Sequence, residues 1–307
     1  MAIIKLKPAE VPPETAARLR EATFLGSIQF ASLWESIGGQ PVCWAVEAGG
    51  GLQAALAGVE FGSGRFMRFQ SMPDGLYSRA IILDRTVDIQ DSAKALLKGI
   101  ARAGYAKAYV NDYYGLFHPA DDWQAFEECT ILVDVAVPEW QPPDKKIRSE
   151  IRRAEREGTK LQTFDASRHL DSFLRLMQRT EKRHGRGPKY PALFFRALAD
   201  LAERDSRVRW VIVEHEGEAA ASHIYFIEGG LLLNWQVYFD KKFSFLKPNQ
   251  FITSTVAIEA ASQGIRYLNL GASPVEADSL RAYKMKWGGK DHAYRCLQKK
   301  TWLGRIF

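Results

Sequence analysis

Two stretches of the chain carry the same pattern of apolar and polar positions. VCWAVEAGGGLQAALAGVEFGSG, from Val42, and VRWVIVEHEGEAAASHIYFIEGG, from Val208, each open with Val-x-Trp, break at glycine, return through alanine-rich apolar residues and break at glycine again. Alternation punctuated by glycine predicts a β-hairpin at each place, which makes GGG at 49–51 and GSG at 62–64 turn glycines. Downstream the period lengthens. ALLKGIARAGYAKAYVND, from Ala95, and VAIEAASQGIRYLNLG, from Val256, each read as a helix stopped at glycine, Gly104 or Gly264, followed by a short strand. Hairpin, helix and strand therefore occur twice in the same order, which predicts two copies of one α+β unit. The prolines of VPEWQPPDKK, Pro138, Pro142 and Pro143, deny a continuous helix or central strand and place the boundary there. The expected domains are 1–138 and 139–290, with 291–307 as a final strand.

The second copy opens on DKKIRSEIRRAEREG. Pro143 and Asp144 suit a helix start and Gly158 a stop, and Ile147, Ile151 and Ala154 form one narrow apolar stripe. Arg148, Arg152, Arg153 and Arg156 cover much of the rest, interspersed with Glu155 and Glu157, which can pair with them on the helix surface. DSFLRLMQRTEKRHGRGPKY and PALFFRALADLAER read as two further helices around a basic loop.

A length of 307 residues suits about two domains, and 46% hydrophobic with 25% charged residues is a globular composition. No apolar run is long enough to span a membrane, and the N-terminus lacks the apolar core of a signal peptide. Cys43, Cys129 and Cys296 are too scattered for a disulfide framework or a CxxC site, and read as small buried residues. A cytoplasmic location is expected. Charge divides unevenly: residues 1–140 hold 12 Lys and Arg against 17 Asp and Glu, and residues 141–307 hold 30 against 19. A basic second half implies an anionic partner such as a nucleotide, a phosphorylated precursor, RNA or a membrane surface, or else a solvated surface. The chain has no HExxH, GxSxG, Walker loop or acidic metal cluster, so no metal is expected.

KKIRSEIRRAEREG, LMQRTEKRHGRGPKYPALFFRAL, NWQVYFDKKFSFLKPNQFITSTVAIEAASQGIRYLNLGAS and LRAYKMKWGG together resemble the FemAB-like branch of the GNAT (N-acetyltransferase) superfamily, including the BioF2-like acetyltransferases. FLGSIQFASLWESIGGQPVCWAVEAGGGLQAALAGVEFG resembles the N-terminal unit of that family more loosely. The resemblance implies an α+β fold of two tandem GNAT-like domains with a cleft between them, and a last strand, AYRCLQKKTWL, that can return to the first domain. It implies transfer of an acyl or aminoacyl group onto an amine. Fem members take aminoacyl-tRNA as donor and a nucleotide- or lipid-linked peptidoglycan precursor as acceptor; other members are expected to use acyl-CoA. No tightly bound cofactor is implied. The implied partners are an anionic or lipid-linked acceptor, tRNA and a peripheral membrane surface, with no DNA.

Carried over residue by residue, Tyr283-Lys284-x-x-Trp287-Gly288 matches the family's aromatic-Lys-x-x-aromatic-Gly pattern. The resemblance puts Lys284 at the catalytic site, as an ammonium for the developing oxyanion or a substrate phosphate, with Tyr283 and Trp287 lining it. The bland reading is a solvated lysine on a last helical turn; Lys286, outside the pattern, reads as surface. Arg183 and Tyr190 correspond to residues that hold the phosphate or sugar of the acceptor, and Arg183 has the planar fork for it. Tyr238, near the end of the NWQVYFD strand, lies where GNAT enzymes bind the donor. His184 reads as surface, and His223 as a buried, hydrogen-bonded core residue or a base. One departure stands out. Acetyl-CoA-dependent GNAT enzymes usually carry Gln/Arg-x-x-Gly-x-Gly/Ala before the next helix, and here DKKFSFLKPNQF has no glycine. That puts acetyl-CoA in doubt and leaves Lys241, Lys242 and Lys247 to attract phosphate. The competing expectation is a non-catalytic RNA- or membrane-surface-binding protein on the same fold.

Overall fold

A computed structural model of the chain describes residues 2–84, 87–118, 122–273, 278–302 and 304. In chain order its main elements are β1 (Ala2–Leu6), α1 (Pro13–Ala22), α2 (Ile28–Ala31), β2 (Gln40–Ala48), β3 (Gly51–Phe61), β4 (Arg68–Gln70), β5 (Ile81–Ile82), α3 (Ile89–Arg102), β6 (Lys107–Asp112), β7 (Gln124–Asp134), α4 (Lys145–Arg156), β8 (Leu161–Thr163), α5 (Ala166–Arg183), α6 (Ala192–Arg204), β9 (Val208–His215), β10 (Glu218–Glu228), β11 (Leu231–Phe239), α7 (Pro248–Ser262), β12 (Tyr267–Ala272), α8 (Asp278–Met285) and β13 (Lys290–Lys300). The chain divides into two units, Met1–Glu128 with Ala293–Phe307, and Cys129–His292. The division falls inside β7, ahead of residue 138, because β7 runs unbroken from Gln124 to Asp134 and the prolines follow it. Most of β13 belongs to the first unit, where it pairs antiparallel with β6. Among the described residues no helix is long and apolar enough to cross a membrane.

In the first unit the strands run β1-β2-β3-β4-β6-β13. The β2–β3 hairpin is antiparallel, β4 adds antiparallel to β3, and β6, arriving through α3, pairs parallel with β4. Both faces of the hairpin are covered, so both sets of alternating residues are apolar. Val42, Trp44 and Val46 pack with Leu96, Leu97 and Ile100 of α3, while Cys43 and Ala55 pack with Leu19 of α1. Beyond Gln70 the chain stays on β6: Ser71 donates its N–H to Tyr109 O at 2.9 Å, and Asn111 N donates to Ser71 Oγ at 3.0 Å.

The second unit repeats this order as β8-β9-β10-β11-β12-β7. The β9–β10 hairpin and β11 are antiparallel, and β12, arriving through α7, pairs parallel with β11. Helices cover both faces. Phe173 of α5 and Phe195 of α6 pack edge-to-face around Trp210 and Tyr238 on one side. On the other, Ile147 of α4 and Ile252, Val256 and Ala257 of α7 bury Val211, Val213, Tyr225 and Leu232. Asp144 caps α4 by accepting from the N–H of Lys146 at 2.8 Å and Ile147 at 3.0 Å, and the predicted stripe turns inward. The fold is mixed α/β, with two units of like strand order.

Candidate functional site

The site grows from a place where two parallel strands part. β11 and β12 pair through Leu231–Tyr267, Leu232–Leu268 and Leu233–Asn269, and no further. β11 continues to Phe239 and β12 to Ala272 without partnering each other. Two irregularities drive the separation. On the β10–β11 side the register slips so that Tyr225 faces Asn234 while Ile224 faces Gln236, leaving Trp235 as a bulge. On the β12–β7 side the register breaks between Asn269 and Ala272. There the buried Asn269 carboxamide oxygen accepts from Gly271 N at 2.8 Å and from the Thr130 hydroxyl, bending the strand with a side chain. Gly271 has φ +75°, where a Cβ is strained, and a Cβ there would lie 3.6 Å from Asn234 O.

Lys284 holds the free end of β12. Its Nζ donates to Gly271 O at 2.9 Å and Ala272 O at 2.7 Å, and the residue is only 7% exposed. Burial pushes its pKa from 10.5 down to about 8, with Cys129 acting weakly in the other direction. The solvated-helix-end reading therefore fails for Lys284, whereas Lys286 is exposed. The glycine pair after it is explained locally. Gly288 has φ +83°, and a Cβ on Gly289 would meet Ile131 Cγ2 at 2.3 Å, so only glycine lets the chain leave α8 against β7. Trp287 is fully buried in the core of the unit. It has no surface to offer a ligand, which corrects its expected place among substrate-binding residues; it anchors α8 from below. Tyr283 is half-buried, packs edge-on to Trp287, and burial raises its pKa. Cys129 is not the small buried residue expected from sequence: it is half-exposed, and its thiol lies 3.4 Å from Asp291 Oδ1, whose carboxylate is paired with Arg281.

The far end of β11 is held from α5. The Thr180 hydroxyl donates to Phe239 O and accepts from Phe239 N, both at 3.1 Å. Arg183 Nη1 donates to the same carbonyl at 2.8 Å, with the guanidinium over the Phe239 ring. Arg183 is otherwise exposed, beside Lys182, His184 and Arg186. Tyr238 is buried, its O–H donating to Gln236 Oε1 at 3.3 Å, and burial raises its pKa. Tyr190 is buried too, stacked on Phe194 and leaning on Trp235. Lys284 and Arg183 thus clamp the ends of the two parted strands, and Tyr190 and Tyr238 shape the β11 wall from below its surface.

Residues 144–285 match the family described as an acetyltransferase (GNAT) domain, and this span contains the hairpin, the parted strands and Lys284. Residues 144–285, within the second unit, thus carry the match to a GNAT acetyltransferase domain. Its fold is similar to that of FemX, with 14% identity, 96% of this chain and 97% of that one covered, and a TM-score of 0.66. It is similar to L-PGS from Bacillus licheniformis, at 14% identity, 96% and 92% coverage and a TM-score of 0.61. It also resembles a tandem GNAT protein from the clavulanic acid biosynthesis pathway, at 11% identity, 97% and 98% coverage and a TM-score of 0.54. No curated protein sequence matches it.

Within the matched span the segment before α7 has its own construction. Residues 241–246 coil into a 3₁₀ turn, Lys247 takes a left-handed conformation (φ +50°) as N-cap, and Pro248 removes the first helical N–H. The lysines are largely committed: Lys242 to Glu218 at 2.7 Å and Lys247 to Glu150 at 3.1 Å. Asn249 faces inward, where its Oδ1 lies 3.1 Å from His223 Nε2. The Nε2 therefore carries the proton, and Nδ1 accepts from Tyr225 O–H at 2.9 Å. Burial pushes His223 down to about 4 and raises Tyr225, whose oxygen also bonds Thr253. His223 is a neutral buried strut between β10 and α7. Sequence reasoning missed Asn234, Asn269, Gly271 and Thr180, because a bulge and a strand bend leave no periodic trace.

Proposed function

We propose that the protein transfers an acyl or aminoacyl group onto the amine of a phosphorylated, nucleotide-linked or glycan-linked acceptor. The observation that carries this is the parted β11–β12 pair with a buried, pKa-lowered lysine at its edge. Backbone groups of β11 past Leu233 have no partner on β12, so an extended donor can pair along that edge with its carbonyl brought to the strand end. Acyl transfer to an amine needs a neutral nucleophile, a donor for the oxyanion and tight placement of both reactants. Lys284 gives two N–H bonds to strand carbonyls, and its third serves the carbonyl oxygen as charge develops. Arg183, at the C-terminal end of α5 beside the basic loop, meets the anionic part of the acceptor.

Pro248 removes one amide at the start of α7, and Lys242 and Lys247 are paired with Glu218 and Glu150, so the segment offers a pyrophosphate fewer donors and fewer free cations, which favours aminoacyl-tRNA over acetyl-CoA as donor. The test supplies purified protein with radiolabelled aminoacyl-tRNA or acetyl-CoA, together with a UDP-linked muramoyl pentapeptide or UDP-glucosamine, and looks for the amide by mass spectrometry. Amide formed by wild type and lost in Lys284→Met is expected. Salt-sensitive RNA or vesicle binding with no amide from any combination would favour the non-catalytic reading instead.

A further inference from the structure

We infer that the first unit carries a separate binding site for an aliphatic di- or polyamine, in a cavity between α1 and the strands β1, β2 and β3. The inference does not rest on the acyltransferase reading. The cavity has a volume of about 380 Å³, within the range of small-ligand pockets. The half-buried side chains of Ile4, Leu6 and Leu52 give it an apolar wall. Three carboxylates stand around that wall: Glu10 just before α1, Glu14 in the first turn of α1, and Glu47 near the end of β2. No ion pair reaches any of the three from a described residue, and Glu10 accepts only the N–H of Lys7, at 2.7 Å. Among the described residues the lining cation is Arg18, and its guanidinium is engaged by the backbone. Nη1 donates to Leu83 O, and Nη2 to Ile82 O at 3.3 Å. Three carboxylates against one committed guanidinium leave a negative potential in a concave, partly apolar space, which draws cations in.

An acidic rim alone would be a solvated surface. Thr15 makes it a site. Its side chain lines the same cavity while the residue is only 4% exposed, and its hydroxyl has no hydrogen-bond partner among the described residues. The hydroxyl oxygen is not sealed from solvent, so the surface it keeps is the cavity's. Buried hydroxyls ordinarily have a partner. Here the partner is an N–H of the occupant, and the open cavity is its way in.

The spacing of the carboxylates selects the shape of that occupant. Among the described residues no three His, Cys, Asp or Glu side chains are placed to hold one metal ion, so Glu10, Glu14 and Glu47 do not converge on a single point charge. Carboxylates spread around an apolar wall match ammonium groups separated by methylenes. Each ammonium donates three N–H bonds and the methylenes cover Ile4, Leu6 and Leu52. One ammonium donates to Thr15 Oγ1 and to a carboxylate on the α1 side; the other meets Glu47 on the β2 side. Binding is non-covalent, and the amine stays protonated throughout.

The experiment titrates the full chain by calorimetry at physiological salt with spermidine, diaminobutane, n-butylamine and magnesium chloride. Spermidine is expected to bind saturably at one site, at least about tenfold tighter than n-butylamine, because the monoamine reaches only one end of the cavity. Glu14→Gln and Glu47→Gln should each weaken spermidine by about 5- to 10-fold through loss of a charge-assisted hydrogen bond. Thr15→Val should weaken it by about 3- to 5-fold, and Thr15→Ser, which keeps the hydroxyl, should restore binding. Melting temperatures without ligand identify any variant that fails to fold, and the remaining variants then decide. Wild type that gives no saturable signal with spermidine overturns the inference. So does binding matched by n-butylamine or by magnesium, which marks screened surface charge, or unchanged affinity in the folded Glu14→Gln, Glu47→Gln and Thr15→Val proteins. Amide formation takes no part in this readout, so its outcome and that of the acyltransferase test are independent.

Discussion

Lys284 offers the sharpest test, because its environment fixes both the sign and the pH range of the expected effect. The side chain sits at the strand parting with two carbonyls as partners, and burial brings its pKa from 10.5 to about 8. If the ammonium form serves the oxyanion, the active fraction is about nine-tenths at pH 7 and about one-tenth at pH 9. The logarithm of kcat/KM should therefore bend downward above about pH 8. In Lys284→Arg the guanidinium stays charged, so the bend should move out of the accessible range even if the rate is lower. In Lys284→Met the bend should vanish along with about 10²- to 10³-fold of rate, the usual effect of removing one oxyanion donor.

Stability gives an independent reading of the same residue. The folded-state pKa lies below the ordinary 10.5, so holding the ammonium opposes folding. That cost is fully present below about pH 8 and is relieved as pH rises from about 8 to 10.5. Wild type should gain about 2–3 kcal/mol relative to Lys284→Met across that window, a figure already reduced for the part of the side chain that solvent reaches. Absolute stabilities are less informative, because Lys284→Met relieves a buried charge but strips Gly271 O and Ala272 O of their donor. Urea denaturation at pH 7, 8, 9 and 10 measures the slope. A wild-type-minus-mutant difference that is flat from pH 8 to 10, or a descending rate limb untouched in Lys284→Arg, would refute the assignment.

The other predictions test the supports around the lysine. His223 is held neutral with its pKa near 4 against an ordinary 6.5, so its contribution to stability should fall as pH drops from 6.5 to 4; His223→Gln should flatten that part of the urea-midpoint profile. Asn249→Leu should lower stability by about 1–3 kcal/mol at pH 7 by leaving the His223 N–H unpaired, and an unchanged midpoint would remove the strut. Gly271→Ala should cost about 1–2 kcal/mol for a Cβ at positive φ, and should slow transfer more than it alters folding cooperativity. Arg183→Ala should raise KM for a UDP-linked acceptor and reduce its salt dependence, while circular dichroism stays native; an unchanged KM would limit Arg183 to holding Phe239.

The legible part of this molecule was its repetition, and the illegible part was its one asymmetry. Val-x-Trp alternation, helix stops at Gly104 and Gly264 and the stripe Ile147–Ile151–Ala154 are periodic signals, and each corresponds to a built element. Nothing periodic distinguishes the two copies at the point that matters. In the first, Ser71 and Asn111 stitch the chain beyond Gln70 back onto β6; in the second, β11 runs on past Leu233 with Asn234 and Trp235 left without such a stitch. The difference comes from single residues: a bulge at Trp235, a side-chain bend at Asn269 and a glycine at 271. The same locality explains why Trp287 was misplaced. A motif identifies neighbours in sequence, but α8 ends at Met285, so Lys284 reaches the strand carbonyls from the helix while Trp287, in the turn beyond it, sinks into the core. Duplication thus builds two similar units, and a few residues that break one strand pairing in the second give that copy alone the open edge that the proposed chemistry needs.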